Sequence, residues 1–410
     1  MVSKTVKIHE LINTCVILAQ RSAPAVRQVQ RSGSFNIVQK GISSLDVCSE
    51  ADLIMHKTIS HNLKQLYSHV KTICEEDDSA SPMHIRPNFQ PDQVIKKRTT
   101  RPVFTPEILS NSSKLRRTQY KKHLNELIQL NPEFIHASDV QRGLENNFQD
   151  EYDQKDLTIW IDPLDGSSGL AEGHTEHLTC IIGVAVKNRP LFGIVHKPFS
   201  PDKSSNTGRT LVGVPQCGLF SVNNCGGKSS EPQSIHVEPF SIGESSINQE
   251  DFQPRVCGSH NKNQYKMNHI IQALQPQSVE RVAGSGNKFV HLAENRSDYY
   301  LNFVPGFKNW DMCGSEAILS ARFGVVTDAY QKPIQYNEDS QSHTIKTGII
   351  AAKNKDIYQV CKQRIEDSTQ MSLELNQHMI ATEALQIKLR RKLEQQLQGG
   401  IQESRLYPSF

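Results

Sequence analysis

A strand-like run that leads directly into two carboxylates constrains this chain more than any other feature. The apolar stretch Leu157–Ile161 is followed at once by Asp162-Pro-Leu-Asp165-Gly-Ser167. The proline and the glycine favour a tight turn, which places both carboxylates at one end of the strand. At a separation of about 4 Å they would repel each other by about 4 kcal/mol, for an effective dielectric constant near 20. The pattern indicates a divalent cation between them; an ordinary turn with a capping aspartate is the alternative.

Two further acidic residues stand in patterns that fit the same kind of site. Glu75 follows the apolar-rich stretch that ends at Ile73, so we expect it at the end of a strand. Asp311 follows Trp310 and opens a segment with helical apolar spacing. Each residue has a second interpretation. Glu75 could belong to a solvated acidic loop, and Asp311 could be a helix N-cap worth about 1 kcal/mol.

Composition excludes several classes of protein. The chain has 410 residues, 46 Lys and Arg against 43 Asp and Glu, and a net charge of +3. A prior of roughly 150 residues per domain allows two or three structural units with a sizeable core. A hydrophobic content of 37% and a mean hydropathy of −0.50 indicate a soluble globular protein. Collagen-like, disulfide-scaffold and wholly disordered chains are excluded, and nothing indicates general binding of polyanions.

Three features of the sequence predict a cytoplasmic protein. The nine cysteines never form a C-x-x-C pair, which favours a reducing compartment. Charged and polar residues interrupt the N-terminal apolar stretches, so we expect no signal peptide. The longest apolar run, Leu178–Val186, is far shorter than the roughly 20 residues that span a bilayer. We therefore expect no membrane partner.

Apolar periodicity predicts mixed helices and strands, which indicates an α/β or α+β sandwich. Helices are expected at 6–31, 51–70, 262–275, 287–294 and 312–322. Strands are expected at 157–161, 178–186, 191–195, 209–221 and 298–303, and around 344–351.

Two segments look like additions to this core. Residues 79–150 are polar and proline-rich, and 96–122 contains nine Lys and Arg against one acid. The segment is interpreted as a solvated loop with one helix near 114–130, or as a positive rim that attracts an anionic substrate or nucleic acid. The tail, 356–398, is rich in Gln with leucines at four-residue spacing. The leucine spacing predicts a helix, which either pairs with a second copy or a partner or lies on the body of the protein.

The acidic motifs together resemble the lithium-sensitive, magnesium-dependent phosphatases of the inositol monophosphatase superfamily. Asp52, Glu75, the Asp162 motif and Trp310-Asp311 occur in the order and context of that family. The wider resemblance is to the 3′(2′),5′-bisphosphate nucleotidases. It is carried by Ile37-Val-Gln-Lys40, Asp46-Val-Cys-Ser-Glu-Ala-Asp52, Gly193-Ile-Val-His-Lys-Pro-Phe199, Ser259-His260 and Gly284-Ser-Gly-Asn-Lys288. It covers roughly residues 5–78 and 150–355.

The resemblance implies a layered α-β-α-β-α sandwich with two or three Mg²⁺ ions. Residues 1–200 would form an N-terminal α+β half with the metal site, including the 79–150 insert. Residues 201–355 would form a C-terminal α/β half with the substrate-binding residues, and 356–410 the tail. The implied metal ligands are Glu75, Asp162, the Leu164 carbonyl, Asp165 and Asp311, with Asp162 bridging two ions. Asp52 and Ser167 resemble the pair that positions and deprotonates the attacking water.

The substrate-binding residues implied by the resemblance are Gly166, Ser167, Ser259, His260, Gly284 and Lys288, with Lys288 as a phosphate anchor. Two departures concern the pocket. The family usually has Thr at the position of Ser167, and Ser168-Gly169 replaces a basic residue followed by an acid. Cys74 also stands where Gly usually precedes the glutamate. Because Ser167 keeps the hydroxyl group that Thr supplies in the family, we expect activity to survive.

The resemblance predicts a Mg²⁺-dependent phosphomonoesterase that removes the 3′-phosphate of 3′-phosphoadenosine 5′-phosphate. An inositol phosphate phosphatase is the alternative within the class, because it would share every metal ligand. The alternative of another class is a catalytically weak nucleotide- or RNA-binding scaffold, suggested by the basic insert and the helical tail. Nucleic acid is not the expected partner, and the tail is the candidate surface for self-association or partner binding.

Overall fold

The first 234 residues supply one large sheet and the helices that cover it. The computed structural model describes residues 5–33, 38–39, 47–77, 102–130, 148–167, 173–199, 208–222, 233–234, 251–259, 267–336 and 343–367. In chain order the first elements are β1 (Thr5–Lys7), α1 (Ile8–Ser32), β2 (Val38–Gln39), β3 (Val47–Cys48), α2 (Glu50–His56), a π-helical turn (Lys57–His61), α3 (Asn62–Leu66), β4 (Lys71–Cys74), α4 (Pro106–Leu130), β5 (Glu151–Asp153), β6 (Leu157–Asp165), β7 (Thr179–Val186), β8 (Arg189–Lys197), β9 (Arg209–Val214), β10 (Gly218–Val222) and β11 (Gln233–Ser234). Short 3₁₀ turns cover Glu75–Asp77, Gln154–Asp156 and Thr175–His177.

A second sheet and four further helices follow. They are β12 (Arg255–Ser259), α5 (Asn268–Ala273), β13 (Ser278–Val282), α6 (Ser285–Ala293), β14 (Tyr299–Asn302), α7 (Asn309–Ser320), β15 (Val325–Asp328), β16 (Ile349–Ala352) and α8 (Lys355–Asp367).

The described strands form two large mixed sheets and two small antiparallel pairs, β1 with β5 and β2 with β3. The first sheet has the order β11-β10-β9-β8-β7-β6-β4, in which only β4 and β6 are parallel neighbours. The second sheet has the order β13-β12-β14-β16-β15, with β12 parallel to both of its neighbours. The first sheet continues past residue 200 into β9, β10 and β11, so it crosses the predicted boundary between the two halves.

Apolar side chains bury both faces of each sheet and build the five layers predicted. Helices α1 and α2 cover the outer face of the first sheet. Helices α6 and α7 lie between the two sheets, around a core that includes Trp160 and Phe289. Helices α5 and α8 cover the outer face of the second sheet, around Tyr299. The predicted α-β-α-β-α sandwich is confirmed.

Three glycines let α7 lie directly on the first sheet. Gly183, Gly193 and Gly213 are paired with one another across β7, β8 and β9. A Cβ atom built on any of them would lie 2.4 Å from a backbone atom of α7, at Gly314 or Ile318. No side chain fits into that distance. The glycine stripe therefore sets how close the N-terminus of α7 comes to the end of β6.

Most of the predicted elements are confirmed, with shifted ends. The expected single strand 209–221 is two strands, because a turn closes where the N–H of Cys217 donates to the carbonyl of Val214 at 2.8 Å. The strand expected around 344–351 begins only at Ile349, since Thr344 forms an isolated bridge with Lys308. The helix expected at 262–275 is described from Asn268 onward, and residues 260–266 lie outside the described part.

The 79–150 insert contains a longer helix than predicted, since α4 starts at Pro106. Arg116 of this helix is not on a solvated rim. Its guanidinium donates to the carbonyls of Ser320, at 2.9 Å, and Ala321, at the end of α7. It also lies over the ring of Phe323, 3.7 Å from the centroid. Burial lowers the pKa of Arg116 to about 10. At least this part of the basic run is structural.

The predicted tail begins with α8, which packs on the second sheet. The leucines at 385–397 that suggested a pairing helix lie outside the described residues. Among the helices that the structure describes, none combines the length and the apolar character needed to cross a bilayer.

Candidate active site

Three carboxylates converge where β6 ends. One oxygen of Glu75, one of Asp162 and one of Asp311 lie within 4.8 Å of one another. Glu75 reaches this point because β4 and β6 are parallel and Cys74 pairs with Ile161, so both strands end at the same edge. Asp311 reaches it from the first turn of α7. The sequence-based prediction that these three residues meet agrees with this geometry.

The cluster carries more negative charge than its surroundings balance. Asp162 is 2% exposed. Burial, followed by the charges of Glu75, Asp165 and Asp311, raises the pKa of Asp162 well above its usual range. Burial and the charge of Glu75 likewise raise the pKa of Asp311, although the N–H of Lys308 opposes the shift. A cation among the three oxygens would remove this cost, and hard divalent ions prefer such oxygen ligands. The residues therefore fit Mg²⁺.

Asp165 borders the cluster and caps a helix. Its carboxylate accepts hydrogen bonds from Thr179 Oγ1 at 2.8 Å and from the N–H groups of Ser285 and Gly286 at 2.9 and 2.8 Å. These N–H groups open α6, where the helix dipole favours an anion. Asp165 thus links the end of β6 to the start of α6, and it is not one of the three converging residues.

A bulge in β6 sets Leu164 apart from the sheet. The β6–β7 ladder pairs Asp162 with Ile181 and Asp165 with Thr179, so β6 has one residue more than β7 between these pairs. Such bulges commonly turn a strand end toward a site. The N–H of Leu164 donates to Asp162 Oδ1 at 3.1 Å. The carbonyl predicted as a metal ligand therefore belongs to a residue outside the paired register.

Asp52 lies in the first turn of α2, the helix that packs against β6. Its Oδ2 accepts hydrogen bonds from the N–H of Ser49, at 2.8 Å, and from the Ser49 hydroxyl. The two residues form a capping box. Ser167 is buried directly after Gly166, and residues 168–172 lie outside the described part. The predicted catalytic pair consists of two buried groups, of which Asp52 is fixed by Ser49.

Two glycines bring the predicted substrate-binding segments together. Gly166 and Gly284 have φ angles of +80° and +76°, which favour glycine. A Cβ atom on Gly166 would lie 3.6 Å from the Cα of Gly284. Ser259 pairs with Val282 at the end of β12, two residues before Gly284. His260 lies outside the described residues, so its predicted role stays a prediction.

Lys288, the predicted phosphate anchor, is 5% exposed and directed inward. Its Nζ donates to the carbonyl of Gly284 at 2.8 Å and lies 5.9 Å from the centroid of the Tyr300 ring. Burial lowers the pKa of Lys288, while the charge of Asp165 opposes that shift. In this structure the ammonium therefore contacts the backbone of its own helix.

A hydrogen-bonded chain that sequence reasoning did not assign lies beside Gly284. Lys197 Nζ donates to Asn287 Oδ1 at 2.6 Å, and Asn287 Nδ2 lies 3.1 Å from His177 Nδ1. Lys197 and Asn287 belong to two of the motifs quoted above, and this was the available signal. His177, the third member of the chain, lies outside every motif quoted above.

His343 was also missed, because it lies far along the chain from the acidic motifs. Its backbone carbonyl accepts from the N–H of Asn309 at 2.8 Å, next to the start of α7. Lys308 Nζ donates to Thr344 Oγ1 at 2.6 Å. Segment 343–345 thereby holds the residues that lead into Asp311.

The chain is similar along most of its length to phosphatases. Residues 7–370 match the sequence profile of the inositol monophosphatase family. Mouse 3′(2′),5′-bisphosphate nucleotidase 1 is 25% identical over 364 residues, which cover 87% of this chain and 96% of that protein. Human Golgi-resident adenosine 3′,5′-bisphosphate 3′-phosphatase is 22% identical over 360 residues, covering 85% and 78%. Among solved structures, the extragenic suppressor protein suhB from Bartonella henselae superposes with a TM-score of 0.53 at 13% identity, covering 87% of this chain and 99% of that one.

The layered fold and the carboxylate cluster around the buried Asp162 define a metal-dependent phosphatase. The family profile spans nearly the whole of both sheets and includes all three converging acids. The chain belongs to the inositol monophosphatase family.

Proposed function

We propose that this phosphatase hydrolyses the 3′-phosphate of 3′-phosphoadenosine 5′-phosphate and releases AMP and phosphate. The convergence of Glu75, Asp162 and Asp311 carries the phosphatase part of the proposal. The nucleotide part is supported by the names of the relatives, which act on bisphosphate nucleotides. It is also supported by the approach of Gly284 to Gly166, which brings the predicted nucleotide-binding segment to the carboxylates.

Glu75, Asp162 and the carbonyl of Leu164 would hold one Mg²⁺, and Asp162, Asp165 and Asp311 another. A third ion near Glu75 is compatible with the sequence-based expectation of two or three. Bound Mg²⁺ would neutralise the charge that develops on the phosphoryl group and on the leaving oxygen. We also propose that lithium inhibits the phosphatase activity.

Asp52 and Ser167 would position and deprotonate the attacking water. The Ser49 N–H and hydroxyl groups fix the Asp52 carboxylate, so little reorganisation is needed when it accepts a proton.

The test is phosphate release at neutral pH with Mg²⁺. Four substrates are compared, with and without lithium: 3′-phosphoadenosine 5′-phosphate, adenosine 3′-monophosphate, inositol 1,4-bisphosphate and inositol 1-phosphate. Asp162→Asn is the blank. Selective, lithium-inhibited release from the bisphosphate nucleotide is expected. Phosphate release from the inositol phosphates alone would support the phosphatase assignment but overturn the assignment of a nucleotide substrate. RNA binding without release from any substrate would favour a scaffold.

We also propose a cytoplasmic location and association through the tail. The cysteines that the structure describes are free and buried, which is compatible with a reducing compartment. The alternative is a location in the Golgi, which the name of the human relative states for that protein. Imaging of the full chain with a C-terminal fluorescent tag decides between the two. Sedimentation of the chain with and without residues 368–410 tests the association.

A further inference from the structure

A row of side chains crosses the first sheet at the end that carries the candidate active site. Asp165 pairs with Thr179, and Lys197 pairs with Arg209. The last pair of the β7–β8 ladder is Cys180 with His196, so one residue further along the same register places Thr179 opposite Lys197. Asp165 and Lys197 are therefore two strand spacings apart, about 10 Å. Lys197 is the cation of this row that lies nearest to Asp165, with only β7 between them.

The Lys197 side chain lies on the same face of the sheet as the carboxylate cluster. Val195, two residues earlier on β8, packs in the core between the sheets together with Trp160. Side chains two residues apart on a strand share a face, so Lys197 and Asp162 project to the same side. The bond from Lys197 to Asn287, in the first turn of α6, agrees with this orientation.

The Lys197 ammonium is buried without a carboxylate partner in the described part of the chain. It is 9% exposed, and its hydrogen bond to Asn287 uses one of three donors. The neighbouring Arg209 and Arg296 both pair with Glu294, which leaves Lys197 as an extra positive charge. Burial lowers the pKa of Lys197 to about 8. A buried, incompletely bonded cation is costly unless an anion accompanies it.

We propose that Lys197 binds the second phosphate of a bisphosphate substrate, the phosphate that the reaction leaves in place. The inference rests on the proposed function, because the carboxylate cluster is taken to receive the phosphate that is removed. A phosphate oxygen can accept the two donors that Asn287 leaves unused, and it supplies the missing negative charge. Lys197 thereby distinguishes bisphosphates from monophosphates. A substrate with a single phosphate gains nothing from it.

The test compares wild type with three variants on matched pairs of substrates. Lys197→Gln removes the charge, but its amide can still donate to Asn287. Lys197→Arg keeps the charge. Lys155→Gln makes the same chemical change at an exposed residue before the opposite end of β6 and serves as the control. The pairs are 3′-phosphoadenosine 5′-phosphate with adenosine 3′-monophosphate, and inositol 1,4-bisphosphate with inositol 1-phosphate.

Lys197→Gln is expected to lower kcat/KM for the bisphosphate at least about tenfold, mainly through KM. For the monophosphate, kcat/KM should stay within about twofold of wild type, and Lys155→Gln should affect neither. Equal losses on both members of a pair would assign Lys197 a purely structural role and overturn the proposal. An unchanged bisphosphate KM would overturn it as well.

The design separates failure of this inference from failure of the proposed function. If wild type acts only on inositol phosphates, the nucleotide assignment fails, and the inositol pair still tests Lys197. If no substrate is turned over, calorimetric titration with AMP and with adenosine replaces the kinetics. Lys197→Gln should then weaken AMP binding and leave adenosine binding unchanged. Equal binding of AMP by wild type and Lys197→Gln, or none by wild type, overturns the inference.

Discussion

Trp160 and Trp310 share one partner, the imidazole of His343. The ring centroids lie 4.9 Å from His343 for Trp160 and 5.8 Å for Trp310, and both contacts are edge-to-face. Trp160 precedes Asp162 by two residues, and Trp310 is the neighbour of Asp311. His343 therefore connects the strand and the helix that deliver two of the converging carboxylates, which makes it a candidate positioning residue.

Replacing His343 is expected to loosen the metal site rather than the substrate pocket. Each aromatic contact is worth about 0.5–1.5 kcal/mol, so His343→Ala should raise the Mg²⁺ concentration for half-maximal activity about tenfold. His343→Phe keeps both contacts and should stay within about twofold of wild type. The measurement is a Mg²⁺ titration of phosphate release, together with KM for the substrate. A larger change in KM than in the Mg²⁺ requirement would contradict the positioning role.

Asp162→Asn is expected to abolish activity and to stabilise the metal-free protein. The amide keeps an oxygen that can accept the Leu164 N–H, but it removes one of three mutually repelling charges. Phosphate release should fall at least about a thousandfold. The melting temperature without metal should rise by about 2 °C or more, and the stabilisation by Mg²⁺ should vanish. A lower melting temperature without metal would show that the repulsion is not the dominant effect of this carboxylate.

Much of this fold follows from local sequence patterns. Helix α1 has a single apolar face, and β7 is a continuous apolar run, so both were predicted nearly to their ends. The position of α7 on the sheet was not predictable. It depends on the pairing of Gly183, Gly193 and Gly213 across three strands, and register is a tertiary property.

The residues of the candidate site also divide into those with a local sequence signal and those that depend on tertiary pairing. Glu75, Asp162 and Asp311 could be predicted because each follows a local signal, a strand end or a helix start. His343 could not be predicted, because the nearer of its two aromatic partners lies more than 30 residues away in the sequence. Lys197 stands in a quoted motif, but its pairing with Asn287, about 90 residues away, could not be predicted. Pairing of a buried polar group with a distant one leaves no periodic trace in the chain.

Asp298 is expected to make stability depend on pH. Burial tends to raise its pKa, but hydrogen bonds from Arg255 and Lys353 outweigh burial and hold the pKa below its usual value. Its contribution to stability is therefore complete above the pKa of the unfolded chain, about 3.9, and is lost as the pH falls through the lower folded value. Asp298→Asn should cost about 3 kcal/mol at neutral pH.

The difference in free energy of unfolding between wild type and Asp298→Asn should be constant above about pH 5 and shrink below it. Urea unfolding across this range measures it. A difference that grows on acidification would mean that the carboxylate is not held in its ionised form.

Arg116→Ala is expected to detach α4 from the end of α7. The guanidinium bonds to two carbonyls and stacks on Phe323, a geometry that Lys cannot reproduce. Arg116→Ala and Arg116→Lys should both lower the melting temperature by about 3 °C and speed proteolysis within 79–150. Lys114→Ala, at an exposed position of the same helix, is the matched control. If Lys114→Ala accelerates cleavage as much, the anchoring role of Arg116 is refuted.

Affinity for a bisphosphate substrate is expected to fall as the pH rises through about 8. Lys197 has a pKa of about 8 because burial and the charges of Arg296 and Arg209 outweigh those of Glu294 and Glu176; His291 lies nearby as a neutral group, with a pKa of about 4. Lys197 is therefore cationic below this pH and neutral above it. Substrate phosphates have their second pKa near 6, so their charge is constant across this range.

KM for the bisphosphate should consequently rise several-fold between about pH 7 and pH 9, while KM for the matched monophosphate stays level. Lys197→Arg should remove this pH dependence, because a guanidinium stays protonated throughout. Lys197→Gln should also show a flat profile, at the higher KM. A pH dependence that persists in Lys197→Arg would assign the titration to another group.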